Sequence, residues 1–201
     1  MTAAPVPEPL AGTTSGPRSF GWWGMVWLIV TESALFATLI FSYFFVRFSH
    51  ETWPLDGIAV PSLALPLVMT VILWSSSVPV HLADRGIRAG SPSRLRWGLA
   101  AGFLLGATFL ALQVFAEYPR TLGEFTPQSN VYGSLFFVIT GFHGFHVLVG
   151  LFMSARVQFR AWQGAFDAKR HVTVQVFAMY WHFVDVVWLF VLLTVYLSPR
   201  L

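Results

Sequence analysis

Two carboxyl groups and three imidazoles lie deep inside apolar sequence. Glu32 stands in Val-Thr-Glu-Ser-Ala-Leu-Phe and Asp185 in Tyr-Trp-His-Phe-Val-Asp-Val-Val-Trp, each within a long run of hydrophobic residues. His143 and His146 are three residues apart, as are His182 and Asp185, and residues at that spacing share one face of a helix. A charge at the centre of a bilayer costs about 2.5 to 3.5 kcal/mol even on the lenient insertion scale, so such groups need partners. The apolar runs have midpoints near residues 34, 143 and 185. Glu32, His143, His146, His182 and Asp185 are therefore expected at one depth, where they can form a single buried polar cluster. Four chemistries suit that set and stay open at this level: a hydrogen-bonded network that fixes helix packing, a proton relay through Glu32, a haem or metal site, and a transporter site.

The elements that must hold these residues follow from composition. Of 201 residues, 56% are apolar and 10% are charged, against roughly 25% charged in a soluble domain, which argues against a water-soluble enzyme. Five stretches, about 22–46, 62–83, 97–116, 131–155 and 173–197, contain only Glu32 and Asp185 of the 12 basic and 9 acidic side chains. At 1.5 Å per residue each reaches about 30 Å, and helices satisfy their own backbone in lipid. The predicted fold class is all-α integral membrane, a five-transmembrane-helix bundle. Residues 1–20, rich in Pro, Gly and Thr, are expected to be a flexible cytoplasmic tail, and 21–201 a single transmembrane domain.

Charge in the connections predicts orientation. Nine of the 12 basic residues fall before the first stretch, between the second and third, and between the fourth and fifth. The positive-inside rule then puts the N-terminus in the cytoplasm and the C-terminus outside. Glu51, Asp56, Glu117 and Glu124 leave the outer loops acidic. Scattered in short loops, the basic residues form no nucleic-acid-binding stripe. The sequence has no cysteine, which excludes disulfides, thiolate metal sites and iron–sulfur clusters. Gly102 and Gly106 form a GxxxG, and Gly133, Gly141, Gly144 and Gly150 thin the fourth helix, where small residues let backbones approach. Trp22, Trp23, Trp27, Trp53, Trp97, Tyr118, Tyr132 and Tyr196 lie near span ends, as an interfacial aromatic belt would.

Two segments carry a resemblance. Val131-Tyr-Gly-Ser-Leu-Phe-Phe-Val-Ile-Thr-Gly-Phe-His-Gly-Phe-His-Val-Leu-Val-Gly150 and Tyr180-Trp-His-Phe-Val-Asp-Val-Val-Trp-Leu-Phe190 closely resemble the signatures of subunit III of haem–copper terminal oxidases. Thr31-Glu-Ser-Ala-Leu-Phe36 and Leu112-Gln-Val-Phe-Ala-Glu-Tyr118 are supporting matches, and the likeness covers nearly all of Gly21 to Leu197. It implies an accessory, non-redox subunit of a proton-pumping aa3-type cytochrome c oxidase in a bacterial cell membrane. Haem a and copper are then expected in partner subunits and no metal or catalytic residue in this chain. Direct packing against subunit I is implied, with subunit II and small subunits as further partners and phospholipid as a bound ligand. By position Glu32 matches the family's buried, proton-uptake glutamate. His143, His146, His182 and Asp185 match its buried polar residues, and Arg160 falls near a lipid-phosphate-contacting arginine. Longer members have seven helices, so a short form without the first two is expected. The rival readings are the equivalent subunit of a quinol oxidase and, from another class, a secondary transporter.

Overall fold

Ser19 starts the first helix: its hydroxyl accepts a hydrogen bond from the Trp22 N–H at 3.2 Å, which satisfies one of the donors a helix leaves free at its N-terminus. The computed structural model describes residues 19–201. The expected tail at 1–20 lies outside the described residues except for its last two, the cap and first residue of that helix. Five long helices follow: α1 at Phe20–Phe48, α2 at Ala64–Arg88, α3 at Pro92–Glu124, α4 at Val131–Trp162 and α5 at Val172–Arg200. Each is long and apolar enough to cross a membrane. Among the described residues the only other helical element is a short turn at Leu55–Gly57, and there is no strand. The all-helical, five-span fold class holds.

Every helix outruns the apolar stretch that announced it. The hydrocarbon ends where charged residues begin, but backbone hydrogen bonding continues into the interface. Arg85 and Arg88 therefore belong to α2, and Arg94 and Arg96 to α3, instead of forming a loop. Asp84 binds Arg88 one turn on at 2.7 Å. The connection shrinks to three residues, with Gly90 at φ 73 and the Ser91 N–H donating to the Gly86 carbonyl at 2.8 Å. A left-handed residue ends a helix at least strain when it is glycine.

The largest correction falls on Glu117, expected in an acidic outer loop. Helix α3 runs on through a π-helical turn at Gln113–Glu117 to Glu124, and Glu117 is 0% exposed. The last turns of α5 contain a second π-helical turn, Leu192–Leu197.

Helix α5 is the centre of the bundle, touching α1, α2 and α4; α2 and α3 pair as a hairpin, and α3 also packs on α4. Trp181 shows why. Its indole fills the space between Gly106 of α3 and Gly150 of α4, where an added Cβ would sit 2.5 Å and 2.8 Å from ring carbons. The indole N–H donates to Ser76 Oγ of α2 at 2.8 Å. One side chain thus ties together four helices. Gly102 serves the α2–α3 contact, its Cβ position lying 2.5 Å from Val80. Gly141 and Gly144 have nothing closer than 3.8 Å; they hollow a groove between α3 and α4. Of the expected aromatic belt, Trp23, Trp27 and Trp97 are exposed, whereas Tyr132 and Tyr196 are fully buried. Those two belong to a core cluster in which the Tyr132 hydroxyl donates to the Val195 carbonyl at 3.0 Å.

Between α4 and α5, Asp167 accepts from the Lys169 and Arg170 N–H groups, both at 2.8 Å, and from Arg170 Nε at 2.9 Å. The Arg170 hydrogen bond, followed by the two backbone donors, holds the Asp167 carboxyl below its usual range. Because the folded value is lowered, the turn is supported at and above the ordinary carboxylate range and loosens as pH falls through the lowered value.

Two outcomes check this packing. Gly106→Ala is expected to lower the melting midpoint of the purified protein in detergent by about 2 to 10 °C, while Gly141→Ala leaves it unchanged. The protection of the Lys169 and Arg170 amides, measured against their intrinsic exchange rates at each pH, is expected to fall in Asp167→Asn and in acid; equal protection in the variant at neutral pH would show the carboxylate does not hold the turn.

Candidate functional site

The polar residues meet at mid-membrane in three places. On α1, Glu32 points at α4, and its Oε2 lies 3.0 Å from His146 Nε2. The other ring nitrogen, Nδ1, is 2.7 Å from the Phe142 carbonyl. A carbonyl only accepts, so Nδ1 carries a hydrogen and donates. One proton must then lie between Nε2 and Oε2. Either the imidazole is charged and the carboxylate ionised, or the imidazole is neutral and the carboxyl donates. Both arrangements satisfy the pair, and they differ only by a proton shift along one hydrogen bond. Phe36, one turn along α1, packs edge-on at 5.0 Å from the His146 ring, and the Tyr180 hydroxyl donates to the His146 carbonyl at 3.0 Å. Glu32 itself is half-buried, its side chain 29% exposed, because α1 touches the bundle along one side only.

The second place joins α2 and α5 through Ser77. The Ser77 hydroxyl donates to Asp185 Oδ2 and lies 2.8 Å from His182 Nδ1. His182 and Asp185 share a face as their spacing predicts, yet they meet through a serine on another helix. The His81 ring stands 6.2 Å from that of His182. A recess of about 450 Å³ lined by Trp74, Ser77, His182, Asp185, Val186 and Leu189 opens beside them.

His143 occupies the third place alone. It is fully buried, with Trp188 of α5 at 5.0 Å and Phe109 of α3 at 5.8 Å between ring centres. Its nitrogens make no hydrogen bond among the described residues. The single cluster expected from common depth therefore does not form. Three residues turn a helix by about 60° short of a full circle, enough for His146 to face α1 while His143 faces α3 and α5. Arg160, the expected lipid contact, is exposed on the last turn of α4 with its guanidinium over Phe166 at 5.4 Å.

A haem or metal site fits these residues poorly. His146 has both nitrogens engaged, His182 is tied to Ser77, and His143 is enclosed by aromatic rings. Among the described residues no three His, Asp or Glu side chains converge. Sequence reasoning missed Ser77, whose only signal was a run of three serines in an apolar stretch, and the burial of Gln113 and Glu117, two residues one turn apart at the end of another.

The family model described as cytochrome c oxidase subunit III matches residues 14–199. The chain belongs to the cytochrome c oxidase subunit III family. The cytochrome c oxidase subunit 3 of Thermostichus vulcanus is 37% identical over 181 residues, covering 88% of this chain and 87% of that one. The protein of the same name from Triticum aestivum is 36% identical over 180 residues, covering 87% and 67%. That of a Synechocystis strain is 37% identical over 175 residues, covering 87% and 74%. Family membership makes this chain a multi-pass membrane subunit of an oxidoreductase complex, and the resemblance read from the His and Asp motifs holds.

Removal of the Ser77 bridge is the sharpest test of the second place. Ser77→Ala takes away the one hydrogen bond that a buried carboxyl group makes among the described residues and is expected to destabilise by about 1 to 3 kcal/mol. Ser77→Thr keeps the hydroxyl and is expected to recover most of it. Equal melting of all three proteins would show that Asp185 is satisfied in another way.

Proposed function

We propose that this chain is the accessory, non-redox subunit III of a proton-pumping aa3-type cytochrome c oxidase in a bacterial cell membrane, and that it supports proton uptake, lipid binding and stability of the complex. The observation that carries the reading is the Glu32–His146 pair, which holds one proton at mid-membrane in a hydrogen bond of 3.0 Å. Ionisable residues at that depth are expensive, and where they occur they pair with one another and mark pathways. Its half-exposed carboxyl leaves one side open to whatever packs against α1.

Subunit I is the partner proposed to pack directly on the bundle, with subunit II and small subunits beyond it. Haem a and copper, held by those partners, supply electron transfer to oxygen; the residues of this chain hold and position a proton. Phospholipid is proposed in the cleft of about 520 Å³ between α1 and α5, lined by Phe36, Phe41, Phe183 and Phe190 among others. Its apolar wall suits acyl chains, and Arg160 is the candidate for a lipid phosphate. The N-terminus is proposed on the cytoplasmic side, supported by the arginines at the shared end of α2, α3 and α4.

Purification from native membranes through this chain is expected to yield a complex with haem a and copper. Haem b or o without a dicopper subunit would indicate a quinol oxidase, and a colourless chain that moves solute would indicate a transporter. Within the complex, Glu32→Gln replaces the acid with an amide that still donates to His146, so haem content is expected to stay intact while sustained turnover falls or inactivation hastens. Unchanged turnover and lifetime would reduce the pair to a packing contact.

A further inference from the structure

Away from the mid-membrane residues, near the end of the bundle where α3 and α5 stop, seven polar atoms are enclosed without a hydrogen bond among the described residues. They are both amide atoms of Gln113, both carboxyl oxygens of Glu117, Arg120 Nη2, the Thr121 hydroxyl and the Tyr196 hydroxyl. Gln113, Glu117, Thr121 and Tyr196 are each no more than 1% exposed. The first three are spaced by four residues and line one face of α3. The Tyr196 hydroxyl faces the Glu117 carboxyl closely enough to interact with it, but outside good hydrogen-bond geometry.

The backbone is irregular on both sides of these residues. Gln113 and Glu117 lie on the π-helical turn of α3, and Tyr196 on that of α5. Such single π turns inside α-helices are frequent at functional sites. Arg120 stands 3.9 Å from Glu117 and 3.9 Å from Glu124, too far for direct hydrogen bonds and suited to a bridging molecule.

We propose that Gln113, Glu117, Arg120, Thr121 and Tyr196 form a buried water-binding site, in which ordered waters join the Glu117 carboxyl to Arg120 and to the polar groups of α3 and α5. The mixture of unpaired atoms selects the ligand. Gln113 Nε2 and Arg120 Nη2 can only donate, and the Glu117 oxygens of an ionised carboxyl can only accept. A metal cation would satisfy the acceptors and repel the donors, whereas water serves both. A buried water makes about three hydrogen bonds, so two or three waters account for the unpaired atoms. Arg120, with 34% of its side chain exposed, connects the site to the aqueous end of α3. The consequence is a hydrated recess that reaches about two turns along α3 into the bundle, on a different side from the Glu32–His146 pair.

X-ray hydroxyl-radical footprinting of the purified native assembly tests this, because radicals formed from bound water oxidise the side chains beside it. Tyr132 is an internal control: it is as buried as Tyr196, but its hydroxyl is bonded to a carbonyl. Tyr196 is expected to be oxidised well above Tyr132, and the difference to disappear in Gln113→Leu. Equal, background oxidation of both tyrosines in the unaltered protein would overturn the proposal. A density map of the assembly gives a second measurement that needs no variant. Separate water peaks between Glu117, Arg120 and Tyr196 support the site. A dry contact, or one peak ringed only by oxygens as a cation would be, overturns it.

Discussion

The bundle depends on how closely one indole lets four helices approach. Lipid tails are as apolar as leucine, so helices in a membrane gain little from hiding apolar surface and associate through packing and hydrogen bonds. Trp181 supplies both: the faces of its ring need the bare backbones at Gly106 and Gly150, and its N–H needs Ser76. Once it is seated, α5 is held against α2, α3 and α4. Trp188 repeats the device two turns along, its N–H donating to Thr70 Oγ1 of α2 at 2.9 Å. The glycines are therefore half of an interaction whose other half is aromatic.

With those contacts set, the polar residues have little freedom over whom they meet. Asp185 lies between Trp181 and Trp188 in sequence and is carried to α2 with them, where Ser77 receives it. His146 lies one turn before Gly150 on α4, at the flank of the indole contact, and there α1 docks. The proton-holding pair with Glu32 is thus the main polar tie of a helix that is otherwise largely exposed; α1 buries only Met25, Phe36 and Tyr43 fully. At its far end the Tyr43 hydroxyl is 3.0 Å from Ser198 Oγ and accepts from the Trp53 N–H at 2.8 Å.

Span number and approximate position were legible because lipid imposes a length and forbids charge, and both constraints are written residue by residue. Close approach at Gly102 and Gly106 was legible for the same reason, since a missing side chain can be seen in sequence. Depth was legible too, but azimuth was not: His143 and His146 have the same depth and different neighbours. Ser77 carries no charge to attract notice in an apolar stretch. Glu117 was misplaced because a hydropathy run ends at its first polar residues, while α3 continues through a π-helical turn that hydropathy does not register. Recognition of Tyr180–Phe190 as a family signature located the important residues without saying that a serine 105 residues earlier joins two of them.

The central position of α5 also sets the order in which the protein can become itself. A chain enters the membrane from its N-terminus, so α1 to α4 are delivered before the helix that holds them together exists. Until Val172–Arg200 arrives, Gly106 and Gly150 face an unfilled gap, Ser77 has no carboxyl and α1 has only its contacts with α4, at His146 and Tyr132. The guanidinium of Arg200 then reaches back to the Pro61 carbonyl just before α2, so the last turn of α5 also ties down the segment that leads into the second helix. Packing therefore waits on the fifth span, which leaves quality control a simple criterion: a copy that lacks α5 is one that never closes.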